Sequence, residues 1–541
     1  MKKLNFLLLL SISAGLMAQN NSYKFRVSLK DKGKHEYSVN APEKFLSKRA
    51  IDRKKSHGIK IDERDFSVNP EYIAQVQKTG AKVVSHSKWF NTLVVALKDS
   101  ADIQNIKKLP FVTETRYIWR GKTTPEDYSR PRIAEQKYVE TDSSYFGVAK
   151  NEFALHHADA MLNAGFAGRG LVVGVIDGGF TNVDVIPYFD NIRILDVKDF
   201  VPDGYIFNSS SHGTSVLSCM ATNKPGILLG SAPDASYVLL RSEDAETEFP
   251  VEEEYWVKAV EYADSIGVDI VTTSLGYNNF GDKSLSYTTA DLDGKKSRMS
   301  EAADIAFEKG MLMVASAGNS GSSPWKKVTS PGDAFNIISV GAATEVGEIG
   351  KFSSNGPTAD GRTKPEVVSV GVKKYTVGSS GRINRINGTS FAAPFMAGLI
   401  TSLWSINPDL NKEQIIEIVK QSADKVKTPD NVYGNGIPNF QTAMKVVLKM
   451  LPVNKANVKD ANLIIEQKSK KEPYTLTLQN PKFALDTYLV NVLDEDGNLL
   501  ASNKFNKDKQ MVVPSDICSK YKDLFFILKD SANQKVYRIQ Q

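Results

Sequence analysis

At 541 residues, with 41% hydrophobic and 24% charged residues, the chain has the composition of a soluble globular protein and is too long for one ordinary core. A net charge of +6, spread along the whole length with no Lys/Arg cluster interleaved with aromatics, argues against a nucleic-acid partner. Two cysteines, Cys219 and Cys518, lie far apart at no metal spacing, so a disulfide framework is not expected and both read as buried free thiols.

Taken in order, the chain begins with the basic Met1-Lys2-Lys3, an apolar run over 6–10 and the small-residue exit Leu16-Met17-Ala18. This is the layout of a signal peptide over 1–18, and it implies an exported protein. No other stretch is apolar enough to span a bilayer, so the mature form should carry no membrane span. Residues 19–120 alternate strand and helix patterns: strands at 23–29, 83–85, 92–97 and 112–117, helices at 41–57, 70–79 and 101–109. Such a mixture suits a small α+β unit. Residues 121–153, with Pro125, Pro131 and many charges, read as a linker.

Over 154–450 apolar strands alternate with helices. The β-branched run 171–176 has no polar interruption, as in a parallel strand buried on both faces. Further strands fit 237–240, 270–273, 312–315 and 337–340; helices fit 215–221, 252–266 and 299–309. The expectation is a doubly wound, mostly parallel α/β sheet whose ligand site lies beyond the carboxyl ends of the strands. Beyond residue 451 short alternating runs joined by turns such as Asp496-Gly497 suit a small β-sandwich over 451–541.

Several polar residues stand where chemistry is expected. Asp177 ends the strand 171–176 and leads into Gly178-Gly179, although an aspartate there also serves as a turn former. Ser211-His212-Gly213-Thr214-Ser215 opens a helix of small residues, and His212 is the last histidine in the chain, which poorly supplies histidine-based metal chemistry. One histidine beside one exposed serine suits general-base catalysis near neutral pH. Ser390 begins the small, apolar run from Phe391 to Leu399, a buried helix, so its hydroxyl sits at a helix N-terminus; a plain N-cap is the simpler use of a lone serine there. Asn319 follows the run 314–318, just past a strand, where its amide would donate to an oxyanion. The loss of such a donor costs roughly 3–4 kcal/mol of transition-state binding. Ser274-Leu275-Gly276 offers a strand edge on which an extended peptide would pair.

Four motifs in order, Val175-Ile176-Asp177-Gly178-Gly179, His212-Gly213-Thr214, Ala317-Gly318-Asn319 and Gly388-Thr389-Ser390-Phe391-Ala392-Ala393-Pro394, make the chain similar to the subtilisin-like serine proteases. The resemblance covers roughly residues 154–444. It implies that Asp177 orients His212, that His212 is base and then acid, and that Ser390 is the nucleophile. Asn319 and the N–H of Ser390 would form the oxyanion hole. Ser274, Leu275, Gly276, Ala315, Ser316, Ala317 and Gly318 would line the substrate cleft. The implied activity is a secreted serine endopeptidase working through an acyl-enzyme, with protein or peptide substrates and no cofactor required for the chemistry. The segment 19–120 resembles the family's inhibitory propeptide, an intramolecular inhibitor later removed. The 451–541 unit faintly resembles sorting domains read by the type IX secretion machinery.

Two features depart from the family pattern. Asp291 and Asp293 in the insertion 280–298 are weak structural-calcium candidates, since an Asp-Gly turn is the commoner use of Asp293-Gly294. Glu246, Glu248, Glu252, Glu253 and Glu254 lie where the cleft rim is expected. They would favour basic substrate side chains, but a solvated helix start is the simpler reading, because acids suit that end. Two rival readings are an α/β-hydrolase esterase, which needs a Gly-x-Ser-x-Gly nucleophile motif that is absent here, and a non-catalytic binding protein on a protease scaffold.

Overall fold

The computed structural model describes residues 22–121, 130, 132–133, 144–202, 204–454, 457–459, 463–468, 472–478, 488–505, 510–515, 520–530 and 534–540. The signal-peptide segment, much of the 121–153 linker and Cys518 lie outside them.

Seven strands form a wholly parallel sheet in the order Val367–Val370, Ile337–Ala343, Leu312–Ser316, Ile270–Thr273, Val172–Asp177, Ser236–Arg241, Arg193–Asp199. The expected α/β class is therefore correct. The five inner strands are buried at every residue because helices cover both faces. Alternation sorts their side chains. Val173, Val175, Leu239 and Val314 pack under Thr389–Trp404 and His212–Ala221, while Val172, Ile176, Leu240 and Met313 pack under Val251–Ile266 and Arg298–Glu308. The edge strand Arg193–Asp199 went unforeseen because its polar, half-exposed residues carry no apolar run. Chain order reverses beside Val172–Asp177, which puts Asp177 at the topological switch point.

The N-terminal unit is a four-stranded antiparallel sheet, Lys82–Ser87, Thr92–Leu97, Ser22–Leu29, Val112–Gly121, over its own apolar core. The helix expected at 41–57 is shorter. A single turn at Pro42–Lys44 precedes Lys48–Ser56, because Ser47 caps the latter by accepting from Ala50 N at 3.1 Å. The strand expected at 112–117 runs on to Gly121, since Ile118 and Trp119 bury against Val251 and Tyr255.

The C-terminal unit has two sheets. One orders Val453–Asn454, Gln534–Gln540, Asp523–Lys529, Tyr488–Leu493 and Leu499–Phe505; the other orders Val458–Lys459, Leu463–Glu466, Tyr474–Leu478 and Gln510–Val513. Along Asp523–Lys529, Leu524, Phe526 and Leu528 face the sandwich core while Phe525 and Ile527 join the core of the α/β unit. A strand that buries both faces has no polar alternation. No helix among the described residues is long and apolar enough to cross a membrane.

Candidate active site

The register of the central sheet assembles the site. Ile176, Thr273 and Ala315 stand level on neighbouring strands, so the residues that follow, Asp177, Ser274 and Ser316, emerge at one rim. The helix His212–Ala221 begins against that rim at Gly213. A Cβ there would lie 2.3 Å from the Gly179 carbonyl oxygen and 2.9 Å from Asp177 Cβ, so any side chain would push the helix start away.

Asp177 is fully buried, and its Oδ1 and Oδ2 lie 2.9 and 3.0 Å from His212 Nδ1. Gly178 N also donates to Oδ1, at 2.8 Å. With Nδ1–H held by the carboxylate, Nε2 is the basic nitrogen. Burial acts to lower the His212 pKa, but the charge and hydrogen bond of Asp177, then the charge of Glu243, raise it above the ordinary 6.5. The Phe391 ring lies 5.6 Å from the imidazole.

Every residue of Thr389–Trp404 is buried, as its unbroken apolar surface predicts. Ser390 is the second residue, so its N–H belongs to the first turn, where amides lack an acceptor within the helix. Its Oγ donates to the Ser274 carbonyl at 3.5 Å, a weak bond at the limit of the range. No hydrogen bond joins Ser390 to His212 among the described residues. Asn319 is exposed, and its Oδ1 accepts from Thr389 N at 2.9 Å and Thr389 Oγ1 at 3.1 Å. The acceptor end is thereby fixed and the Nδ2 donors are left for another acceptor. Thr389 Oγ1 accepts in turn from Gly318 N at 3.1 Å.

Ser274 Oγ donates to the Ser390 carbonyl at 2.8 Å, which ties the strand end to the serine helix. Gly276 is exposed and Gly318 half-buried, while Leu275, Ala315, Ser316 and Ala317 are buried. Asp291 accepts from Thr288 N at 2.8 Å and Thr288 Oγ1 at 2.7 Å, and Asp293 from Lys295 N and Lys296 N at 2.8 and 2.9 Å. These are turn bonds. No cluster of three or more His, Cys, Asp or Glu side chains among the described residues is arranged to hold a metal ion. Cys219 is a buried free thiol whose pKa burial pushes up to about 12.

The solvated helix start expected at Glu252–Glu254 is wrong. All three are buried. Arg26 of the N-terminal unit pairs with Glu254 at 2.9 Å, and Tyr287 and Ser297 donate to Glu253. Glu246 and Glu248 are exposed.

Two contributors were missed in the sequence. Thr389 was quoted within a motif but given no task; its place between Gly388 and Ser390 was the available signal. Glu243 follows Arg241, the register partner of Asp177, by two residues, and that offset was the signal.

Residues 168–436 match the profile described as the subtilase family, and residues 24–134 match a peptidase S8 propeptide domain of Bacteroidota. The serine protease AprX of Bacillus subtilis is 28% identical over 322 residues, covering 53% of this chain and 70% of the relative. Subtilisin DY of Bacillus licheniformis is 29% identical over 293 residues, covering 53% and 95%. Subtilisin E of Bacillus subtilis is 26% identical over 372 residues, covering 68% and 84%.

Proposed function

The chain belongs to the subtilase family, as a serine endopeptidase made with a propeptide, and on that premise we propose that Asp177, His212 and Ser390 are its catalytic triad and Asn319 its oxyanion donor. The observation that carries this reading is the His212 Nδ1 contact with buried Asp177 at 2.9 Å. Ser390 Oγ leaves its weak bond to Ser274 and turns to His212 Nε2; such bonds commonly tighten only when substrate is bound. His212 takes the hydroxyl proton as Oγ attacks the peptide carbonyl carbon. The oxyanion is held by Asn319 Nδ2–H and Ser390 N–H. His212 then protonates the leaving amine, and an acyl-enzyme remains. Water, deprotonated by His212, repeats the sequence and frees Ser390. The exposed edge at Gly276 and the backbone at Gly318 receive the extended substrate.

Subtilases need no cofactor for this chemistry. Structural calcium at Asp291 and Asp293 would have to displace the turn bonds those carboxylates already accept. The remaining units follow the sequence reading: 1–18 export signal, 19–120 inhibitory propeptide, 121–153 processing region, 154–450 catalytic unit, 451–541 address for the type IX route. The mature enzyme acts outside the cell.

Purified protein should cleave casein and react with a fluorophosphonate. Ser390→Ala should abolish both and leave the N-terminal unit attached. Labelling without proteolysis would favour the esterase.

A further inference from the structure

The site has two flanks, one on each face of the central sheet. On the first, Leu275, Tyr277 and Phe280 join the core beneath Val251–Ile266, and Gly281 N donates to Glu248 O at 2.8 Å, which ties this stretch to the loop that carries Thr247. On the second, Phe180, Val183, Ile206 and Val377 join the core beneath Thr389–Trp404. Phe180 N donates to Ile206 O at 2.7 Å, Thr181 N to Ser210 O at 3.2 Å and Asn182 N to Phe207 O at 3.1 Å. These bonds fasten the turn after Asp177 to the loop before His212. Asn182 Nδ2 also donates to the Ser379 carbonyl at 2.8 Å, in the hairpin of Lys374–Val377 and Ile383–Ile386 that leads into Ser390.

The leading segment touches both flanks in chain order. Its last strand, Val112–Gly121, meets the first, where Trp119 Nε1 donates to Thr247 Oγ1 at 3.2 Å. Arg130 follows Gly121 by nine residues, a reach of at most about 30 Å, and stands on the second. Its Nη1 donates to Asp184 Oδ2 at 3.0 Å and Oδ1 at 3.1 Å, and its Nη2 donates to the Tyr205 hydroxyl at 3.1 Å. The guanidinium carbon lies 5.4 Å from the Tyr205 ring centroid. Ile133 packs on the core of that same flank. A guanidinium spans an acid and a phenol with two nitrogens, whereas lysine offers a single ammonium. Asp184 and Tyr205 sit on the two segments that hold Asp177 and His212, so the seat is fixed relative to the triad. It also faces solvent: Tyr205 is 46% exposed, and Val185, next to Asp184, 47%.

Resting on the protease reading above, we propose that Asp184 and Tyr205 form a subsite for an arginine side chain on the leaving-group side of the scissile bond. Arg130 is the chain's own occupant, so the cut that frees the N-terminal unit falls between Gly121 and Arg130. The direction of the chain assigns the sides, because residues before that cut come from the Thr247 flank and residues after it lead to the Asp184 flank.

The test uses active enzyme obtained from the full chain carrying Arg130→Gln, which empties the seat. Peptide substrates carry arginine or its neutral isostere citrulline at each of the first six positions after the cleaved bond. Arginine at one of them should raise kcat/KM about fivefold over citrulline, the scale of an exposed ion pair joined by a cation–π contact. Adding Asp184→Asn should bring that ratio to about one, while fluorophosphonate labelling reports an intact nucleophile. Equal rates for arginine and citrulline at all six positions, with casein still cleaved, would overturn the subsite and leave the protease standing. A ratio unchanged by Asp184→Asn would overturn it as well. In the unaltered chain, the intact mass of the released N-terminal fragment should place its last residue before Arg130; a fragment that contains Arg130 would put that side chain on the wrong side of the cut and overturn the assignment. Failure to cleave casein or any peptide, with no labelling, would defeat the protease reading and this inference together.

Discussion

The α/β unit is gripped from two sides by contacts of opposite character. The N-terminal unit meets it through an apolar patch at Trp89, Ile118 and Trp119 and, beside that, through buried charges. Asp264 holds Lys54 at 2.7 Å and Arg53 at 2.6 Å, and Lys309 holds Asp62 at 2.9 Å and Asp65 at 2.8 Å. Glu261 accepts from Ser87 Oγ, Lys88 N and Trp89 N. The C-terminal unit instead continues the core. Phe525, Ile527 and Leu493 join the apolar cluster of the α/β unit, and Asn491, Lys529, Gln534 and Arg538 donate to backbone carbonyls at 2.6–3.1 Å. A buried ion pair adds little net stability, because desolvation offsets its attraction, yet it punishes loss of either partner. Both partners can also return to water. A shared apolar core has no such exit. The first contact suits a segment that must leave, the second one that stays.

The largest effect should come from breaking each contact before and after the N-terminal unit is removed. In the full chain, Asp264→Ala strands Lys54 and Arg53 and should cost about 3–5 kcal/mol. Phe525→Ala should cost a similar amount, about 3–5 kcal/mol, by opening a cavity. In the processed enzyme Asp264 faces water, so its replacement should cost under about 1 kcal/mol, while the Phe525→Ala penalty persists. Thermal unfolding of both variants in both forms checks this. Equal penalties for Asp264→Ala in the two forms would erase the distinction.

The same contrast bears on the address role proposed for the C-terminal unit. Deleting 451–541 would uncover Phe525's partners in the core, so lost delivery would be mixed with lost stability. Residues 451–541 fused to an inert exported reporter should carry it to the same destination; a reporter retained in the periplasm would remove the sorting role.

A smaller effect is expected from a change that touches neither contact. Thr389→Val removes the hydroxyl that bonds Asn319 Oδ1 and Gly318 N. It should lower kcat roughly tenfold with KM little changed, since the proposed oxyanion donor Asn319 is misplaced and not deleted. Thr389→Ser should restore most of the rate, and steady-state kinetics on one peptide would show it. A change in KM alone would mean that Thr389 serves binding.

The smallest is a displacement in pH. Catalysis needs neutral His212, and Asp177 with Glu243 holds the imidazole pKa above 6.5. Lowering the pH through that raised value protonates Nε2 and removes the base, so kcat/KM should begin to fall above pH 6.5. Glu243→Gln should move the acid limb downward. A limb unmoved in that variant would show that Glu243's charge does not reach the imidazole.

Much of this was legible in the sequence, for definite reasons. The inner strands announce themselves because burial on both faces demands unbroken apolar runs, and the site residues follow them directly. The proposed site residues Asp177 and Asn319 are picked out by that rule, and Ser390 by the all-buried helix behind it. Edge strands and contacts between units were not legible. Arg193–Asp199 carries charges on an exposed edge, and Phe525 and Ile527 read as one sandwich strand without saying that two cores share it. Glu254 looks solvated because its cover is supplied by Arg26, more than two hundred residues earlier. Nor can spacing report a rotamer: the Ser390 hydroxyl rests on Ser274, a detail set by local torsion and not by composition.

The central claim is that Ser390, activated by His212, is the nucleophile. Mapping the fluorophosphonate adduct of the active enzyme by tandem mass spectrometry tests it most directly. A single adduct on Ser390, lost in His212→Ala, is the expected result; an adduct on any other serine, or labelling that survives the loss of His212, would contradict it.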